Sequence, residues 1–141
     1  MEFYNQKNIS KIELKMKNGE DYFLIYINDI KNKLYKIYAV TYVDDCTVTI
    51  GSMDFWFNDE DVFVDLLMVA HEYRNQNIGK SMVKYLTQIA LENNINVIRL
   101  HSTESALKFY KKLGFKSTNV KCGNFKEYKL EIKENINKFE F

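Results

Sequence analysis

The stretch EYRNQNIGKSMV, from Glu72 to Val83, places Arg74, Gly79 and Lys80 where an apolar strand pattern gives way to a helical one. That arrangement suits phosphate. Backbone N–H groups at a helix start carry partial positive charge and have no partner within the helix. Gly79 permits close approach of a ligand, and Arg74 and Lys80 add charge. Gly79-Lys80-Ser81 also completes the end of a P-loop, Gly-x-x-x-x-Gly-Lys-[Ser/Thr]. Three features count against a nucleotide hydrolase. Arg74 stands at the first glycine position, where a long side chain obstructs the wrap around a β-phosphate. The strand VIRLH (97–101) ends without an aspartate to hold magnesium. Most of the chain precedes the loop, whereas a P-loop fold begins with it.

The elements around the loop follow from periodicity. KIELKMK (11–17) alternates apolar and charged residues as a half-buried strand, and Asn18-Gly19 is a two-residue hairpin signal. Residues 20–33 are ambiguous. DYFLIYI (21–27) favours a return strand, but Phe23, Ile27, Ile30 and Leu34 also sit at helical spacing. YKIYAVTYV (35–43), CTVTIGSMDFWF (46–57) and VFVDLLMV (62–69) read as strands, with Asp44-Asp45 and NDED (58–61) as turns. The last of the three is nearly all apolar, as expected of a strand covered on both faces.

After Gly79, residues Ile78, Met82, Leu86, Ile89 and Ala90 form one helical stripe, and Lys80, Lys84, Gln88 and Glu92 form a polar one. NNIN (93–96) ends that helix. Residues 62–100 then make a strand–helix–strand unit with parallel strands. A second helix over about 105–113, capped by Ser102 or Thr103, stops at Gly114. FKSTNV (115–120) and EYKLEI (127–132) are final strands. The expected fold class is α+β, a mixed α/β arrangement on one central mixed sheet. Its N-terminal strands are antiparallel, one parallel unit carries the loop, and helices lie on both faces.

Bulk properties bound the function. The 141 residues suit one domain, 1–141, with enough length for a sizeable core. Twenty Lys and Arg balance nineteen acids for a net charge of +1, so nothing calls for nucleic acid or a membrane surface. Cys46 and Cys122 are far apart, so neither a disulfide framework nor a metal site is expected. MEFYNQKNIS lacks the apolar core of a secretory signal, and no apolar run approaches a membrane span. A cytoplasmic location is the expectation.

Arg74-Asn75-Gln76-Asn77-Ile78-Gly79 resembles the Arg/Gln-x-x-Gly-x-Gly/Ala loop of the GNAT (GCN5-related) N-acetyltransferases, matching at Arg74 and Gly79 and departing at Asn77. Asn is the residue besides glycine that best tolerates a left-handed backbone. The flanking VDLLMVAHEYRNQNIGKSMVKYL is similar to that family's central strand, loop and helix. ESALKFYKKLGF (104–115) resembles its second signature at Ala106, Phe109, Tyr110, Gly114 and Phe115. The two signatures cover 62–120, and the N-terminal third matches only as generic strands.

The resemblance implies acetyl-CoA as cofactor and transfer of its acetyl group to an amine by direct attack in a ternary complex. Backbone N–H groups of Asn75, Gln76, Asn77, Ile78, Gly79 and Lys80 would hold the diphosphate, with Arg74 and Lys80 adding charge. Leu67, Met68 and Val69 would splay from strand 97–101 and pair with the pantetheine arm. Tyr110 would lie near the sulfur as general acid for the departing thiolate. The base stays open among Asp65, Glu72, His101 and water. Thr103 stands where the family often has a cofactor-contacting Asn. Family members usually carry one or two helices after the first strand, and residues 18–34 hold at most one here. The acceptor side, for a small-molecule or peptide amine, is therefore open or completed by a second subunit in a homodimer. The rival is a non-catalytic acyl-CoA-binding or regulatory module on the same fold.

Overall fold

A computed structural model describes residues 7–139. The opening MEFYNQ, read above for a secretory signal, lies outside them. Eight strands are hydrogen-bonded in the order β1-β2-β3-β4-β5-β6-β8-β7, all antiparallel neighbours where pairing is defined except β5 with β6. The chain forms two compact units. The first holds residues up to Trp56 and Leu66–Val83; the second holds Phe57–Asp65 and the chain from Lys84 onward.

In the first unit, β1 (Lys7–Lys15) pairs with β2 (Asp21–Asp29) from Lys7↔Asp29 to Lys15↔Asp21. Asn18-Gly19 does mark the turn, but the loop is the longer, bulged kind. Met16 donates its N–H to Glu20 O at 2.8 Å and accepts from Gly19 N–H at 3.0 Å, and Gly19 has φ +91°. A glycine at that left-handed position suits the three-residue hairpin.

The ambiguity over 20–33 resolves as strand over Asp21–Asp29, with a turn at 30–33. Tyr22 and Leu24 alternate into the core at 2% and 0% exposure, while Ile30 and Leu34 of the rival helical stripe stay exposed. Period 2 wins because β1 and β3 flank β2 and satisfy its backbone on both sides.

β3 (Leu34–Val43) and β4 (Cys46–Phe57) close on Val43↔Cys46. Asp44 and Asp45 between them both have positive φ, 51° and 64°. Two left-handed residues match the twist of a two-residue hairpin. The pairing slips between Ala39↔Gly51 and Val40↔Thr49, which makes Ile50 the bulged residue. Ile37, Ala39, Met53 and Phe55 line up cross-strand with Leu24 and its neighbours, and all are buried. Each large apolar side chain so buried stabilises by about 1.5–3 kcal/mol.

In the second unit, the start of β5 (Val62–Val69) runs parallel to β6 (Val97–Ser102), with Val62↔Ile98, Phe63↔Arg99 and Val64↔Leu100. β6 pairs with β8 (Phe125–Glu131), and β8 with β7 (Lys116–Cys122). Two α-helices are present among the described residues. α1 (Ile78–Glu92) starts in the first unit and ends in the second; α2 (Leu107–Lys112) lies in the second. Short 3-10 turns occur at His71–Tyr73, Glu104–Ala106 and Ile132–Phe139.

α1 ends as NNIN predicts. Ile95 N–H reaches Ala90 O at 2.9 Å, Asn94 N–H reaches Leu91 O at 3.0 Å, and Asn94 takes the left-handed φ of 61° in place of glycine. Lys84 departs from the predicted polar stripe: it is buried. The predicted cap of α2 also differs. No side chain caps it; a 3-10 turn leads in, with Ala106 N–H on Thr103 O, and the Thr103 hydroxyl is shared with Ser105 at 3.1 Å.

Gly114 ends α2 with φ +103°, Gly114 N–H on Lys111 O at 3.0 Å and Phe115 N–H on Tyr110 O at 3.1 Å. A Cβ there would run into the Asn135 side chain. Gly114→Ala is therefore expected to destabilise the fold by about 2 kcal/mol or more, from left-handed strain and overpacking together. Thermal unfolding followed by circular dichroism reads this directly. An unchanged midpoint would show that the turn can relax.

Candidate cofactor and active site

The loop between β5 and α1 is short and locally determined. Tyr73 N–H bonds to Ala70 O at 2.9 Å and Arg74 N–H to His71 O at 3.3 Å, forming the 3-10 turn His71–Tyr73. Arg74 then turns extended, with φ −69° and ψ 158°, and its Nε reaches back to Val69 O at 3.3 Å. Asn75 and Asn77 both take left-handed φ, 65° and 67°. The position where the resembling loop carries glycine thus keeps a glycine-like conformation with an asparagine in it. Gly79 has no positive φ and sits in the first turn of α1.

The first helical hydrogen bond runs from Ser81 N–H to Asn77 O at 3.0 Å. None of the backbone N–H groups from Asn75 to Lys80 donates to a described residue. They are the orphan donors of a helix start, extended backwards by two left-handed residues. No acidic side chain occupies the first turn of α1, and Arg74 and Lys80 are exposed cations beside it. The dipole of α1 adds stabilisation for an anion of about 0.3–1 kcal/mol at an exposed site. These donors fit a diphosphate.

Ser81 decides against the P-loop. Its hydroxyl donates to Ile78 O at 2.8 Å and lies 2.7 Å from the Tyr22 hydroxyl. It is spent inside the protein, where a P-loop would present it to magnesium. Among the described residues no group of His, Cys, Asp and Glu could hold a metal ion. No helix of the described residues is long and apolar enough to cross a membrane.

The end of β5 is less covered than its apolar sequence suggests. Pairing with β6 stops at Val64↔Leu100. Beyond it Leu66 and Met68 are exposed at 42% and 57%, while Leu67 and Val69 are half-buried. Met68 O lies where a Cβ on Gly51 would meet it at 3.2 Å, and Met82 Sδ would be met at the same distance. Gly51, in the bulged part of β4, is what permits that approach.

Leu67, Met68, Val69 and residues 74–80 therefore all belong to the first unit, with Glu72 exposed in the 3-10 turn. Tyr110, Asp65 and His101 belong to the second. Tyr110 is 8% exposed, edge-to-face with Phe109 (centroids 5.1 Å apart) and Phe115 (5.4 Å). Burial pushes its phenol up to about 12. Its hydroxyl has no hydrogen-bond partner among the described residues.

Asp65 is exposed, and its carboxylate makes no hydrogen bond among the described residues. His101 stands edge-on to Phe63 (centroids 5.0 Å apart), with Nε2 at 3.9 Å from Glu127 Oε2. Glu127 in turn accepts from Thr118 Oγ1 at 2.8 Å and Arg99 Nη1 at 3.2 Å, and Arg99 Nε donates to Asp61 at 2.8 Å. His101 thus borders a cross-strand ionic network.

Sequence reasoning missed Tyr22. Its hydroxyl is buried, so its phenol is raised by desolvation, with the Ser81 hydrogen bond opposing. Nothing in the spacing of 22 and 81 announces that contact.

Comparison with known proteins gives these features a family. The chain matches the acetyltransferase (GNAT) domain over residues 34–117. No curated protein sequence matches it. Among solved structures, the PaiA N-acetyltransferase of Thermoplasma acidophilum in complex with coenzyme A superposes with a TM-score of 0.62 at 20% identity, over 70% of this chain and 61% of that one. The chain thus spans less than two thirds of that neighbour's length. A GNAT-family acetyltransferase from Staphylococcus aureus gives 0.58 at 20% identity, over 70% and 69%. Naa50 of Arabidopsis thaliana, in complex with a bisubstrate analogue, gives 0.55 at 23%, over 67% and 71%. With more than half of its length matched and both signatures inside the match, this chain belongs to the GNAT acetyltransferase family.

Proposed function

We propose that residues 1–141 form one acetyl-CoA-dependent N-acetyltransferase domain. The observation that carries this reading is the run of unbonded N–H groups from Asn75 to Lys80, lying within the family match. Acetyl-CoA supplies a thioester carbonyl that a neutral amine attacks directly, with coenzyme A leaving as a thiolate. Asn75, Gln76, Asn77, Ile78, Gly79 and Lys80 hold the diphosphate through backbone N–H, assisted by Arg74 and Lys80. Leu67, Met68 and Val69 offer backbone groups to the amide-bearing arm. The acceptor is an amine on a small molecule or a peptide. Solved neighbours carrying coenzyme A and a bisubstrate analogue support the cofactor assignment.

Tyr110 acts as a hydrogen-bond donor to sulfur. Burial holds its phenol up at about 12, so the hydroxyl is protonated at neutral pH and available as a donor. The hydroxyl would donate to the sulfur as general acid for the departing thiolate, while the amine's proton is released to solvent. No side chain is assigned as base.

The rival reading, an acyl-CoA-binding module without turnover, draws on one observation: neither Asp65 nor Glu72 has a hydrogen bond that would orient it as a base. Coenzyme A release measured over an amine panel separates the two. Turnover above solvent hydrolysis supports the enzyme, and tight binding without it supports the module.

Two outcomes are expected at the site. Asn77→Gly should retain acetyl-CoA binding, because glycine adopts φ 67° freely, while Asn77→Val should weaken it about tenfold or more from left-handed strain of about 1–2 kcal/mol. Calorimetric titration reads both, and equal affinities would dismiss the left-handed requirement. Tyr110→Phe should lower kcat by about tenfold to a hundredfold with little change in affinity for acetyl-CoA. The wild-type rate should show no limb from Tyr110 between pH 6 and 10, since its phenol stays protonated there. A limb in that window abolished by Tyr110→Phe would contradict the donor role.

A further inference from the structure

We infer that the β1–β2 hairpin is a brace for the phosphate loop, with Tyr22 and Gln76 as its positioning residues. The inference rests on the diphosphate reading of residues 75–80. The hairpin lies wholly before the family match, which begins at residue 34, and it touches the loop on both sides. Asn18 N–H, in the hairpin turn, donates to Gln76 Oε1 at 3.1 Å. Asn18 is itself fixed: its Oδ1 accepts from Glu20 N–H at 2.9 Å, and its Nδ2 donates to Glu20 Oε1 at 3.1 Å. From β2, the Tyr22 hydroxyl meets Ser81 Oγ at 2.7 Å, and Ser81 Oγ donates to Ile78 O at 2.8 Å. Ser81 has one hydroxyl proton and gives it to Ile78, so Tyr22 is the donor to Ser81. The relay runs from Tyr22 through Ser81 to the carbonyl of the first residue of α1.

These two ties enclose the unbonded amides, one at residue 76 and the other at 81. The loop's own hydrogen bonds end at Arg74, and the N–H groups from Asn75 to Lys80 hold nothing in place. Asn75 and Asn77 add left-handed strain that a free chain would relax. An outside scaffold is required to keep the donors converged without a ligand, and the hairpin supplies it. A bulged turn reaching residue 76 stands where helices are expected from the family resemblance.

The test uses the full chain with Tyr22→Phe, Gln76→Leu and the double variant. Losing one such hydrogen bond should raise the Kd for acetyl-CoA by about threefold to tenfold, and the double variant more, while Tyr22→Phe leaves kcat at saturating acetyl-CoA unchanged. In the ligand-free protein, amide hydrogen exchange at Ser81, Met82 and Val83 should accelerate in each variant relative to wild type. Unaltered exchange at those amides in folded variants would overturn the brace. Wild-type protein that binds no acetyl-CoA would instead remove the diphosphate reading, while the exchange data still decide whether the hairpin holds the turn.

Discussion

Backbone hydrogen-bond accounting governs this molecule. Nearly every buried N–H of a protein must find a partner, and the sheet and helices here are built to provide one. At the start of α1 the accounting is left open: from Asn75 to Lys80 the donors find no acceptor among the described residues. Such groups are tolerable only where water or a ligand can reach them. That requirement puts the loop at the surface, forbids an acid in the first turn, and explains why Ser81 bends inward to Ile78 instead of competing outward.

Two asparagines make the opening possible. A chain that enters a helix directly would turn fewer amides outward, and left-handed residues at 75 and 77 extend the run backwards. Glycine takes that conformation at less cost, and asparagine takes it with modest strain. The same residue type solves a different problem at Asn94, where it ends α1. Tyr110 shows the opposite economy. It is buried against Phe109 and Phe115, which fixes the ring and makes the phenol reluctant to ionise.

Much of this was legible in the chain because it depends on local chemistry. The strand at 62–69, the helix after the loop, the asparagine stop and the tolerance of Asn77 for positive φ all follow from residue type and period. The misses have several causes, of which a partner distant in sequence is one. Tyr22 reads as one more alternating strand residue until Ser81 arrives beside it. Lys84 reads as surface by its charge, yet it is buried. The hairpin loop is longer than Asn18-Gly19 suggests because glycine serves as the bulge residue. Leu66 and Met68 read as core, yet both are exposed where β5 outruns its pairing with β6.

The outward-facing amides carry a thermodynamic consequence. At rest they are hydrated, so an arriving anion must displace solvent from each donor, and the gain is a difference between two good acceptors. Main-chain donors recognise oxygen and negative charge without regard to the rest of the molecule. On the proposed diphosphate reading, inorganic sulfate or phosphate at high concentration competes for the same turn, which makes the choice of buffer a variable in any affinity measured for it.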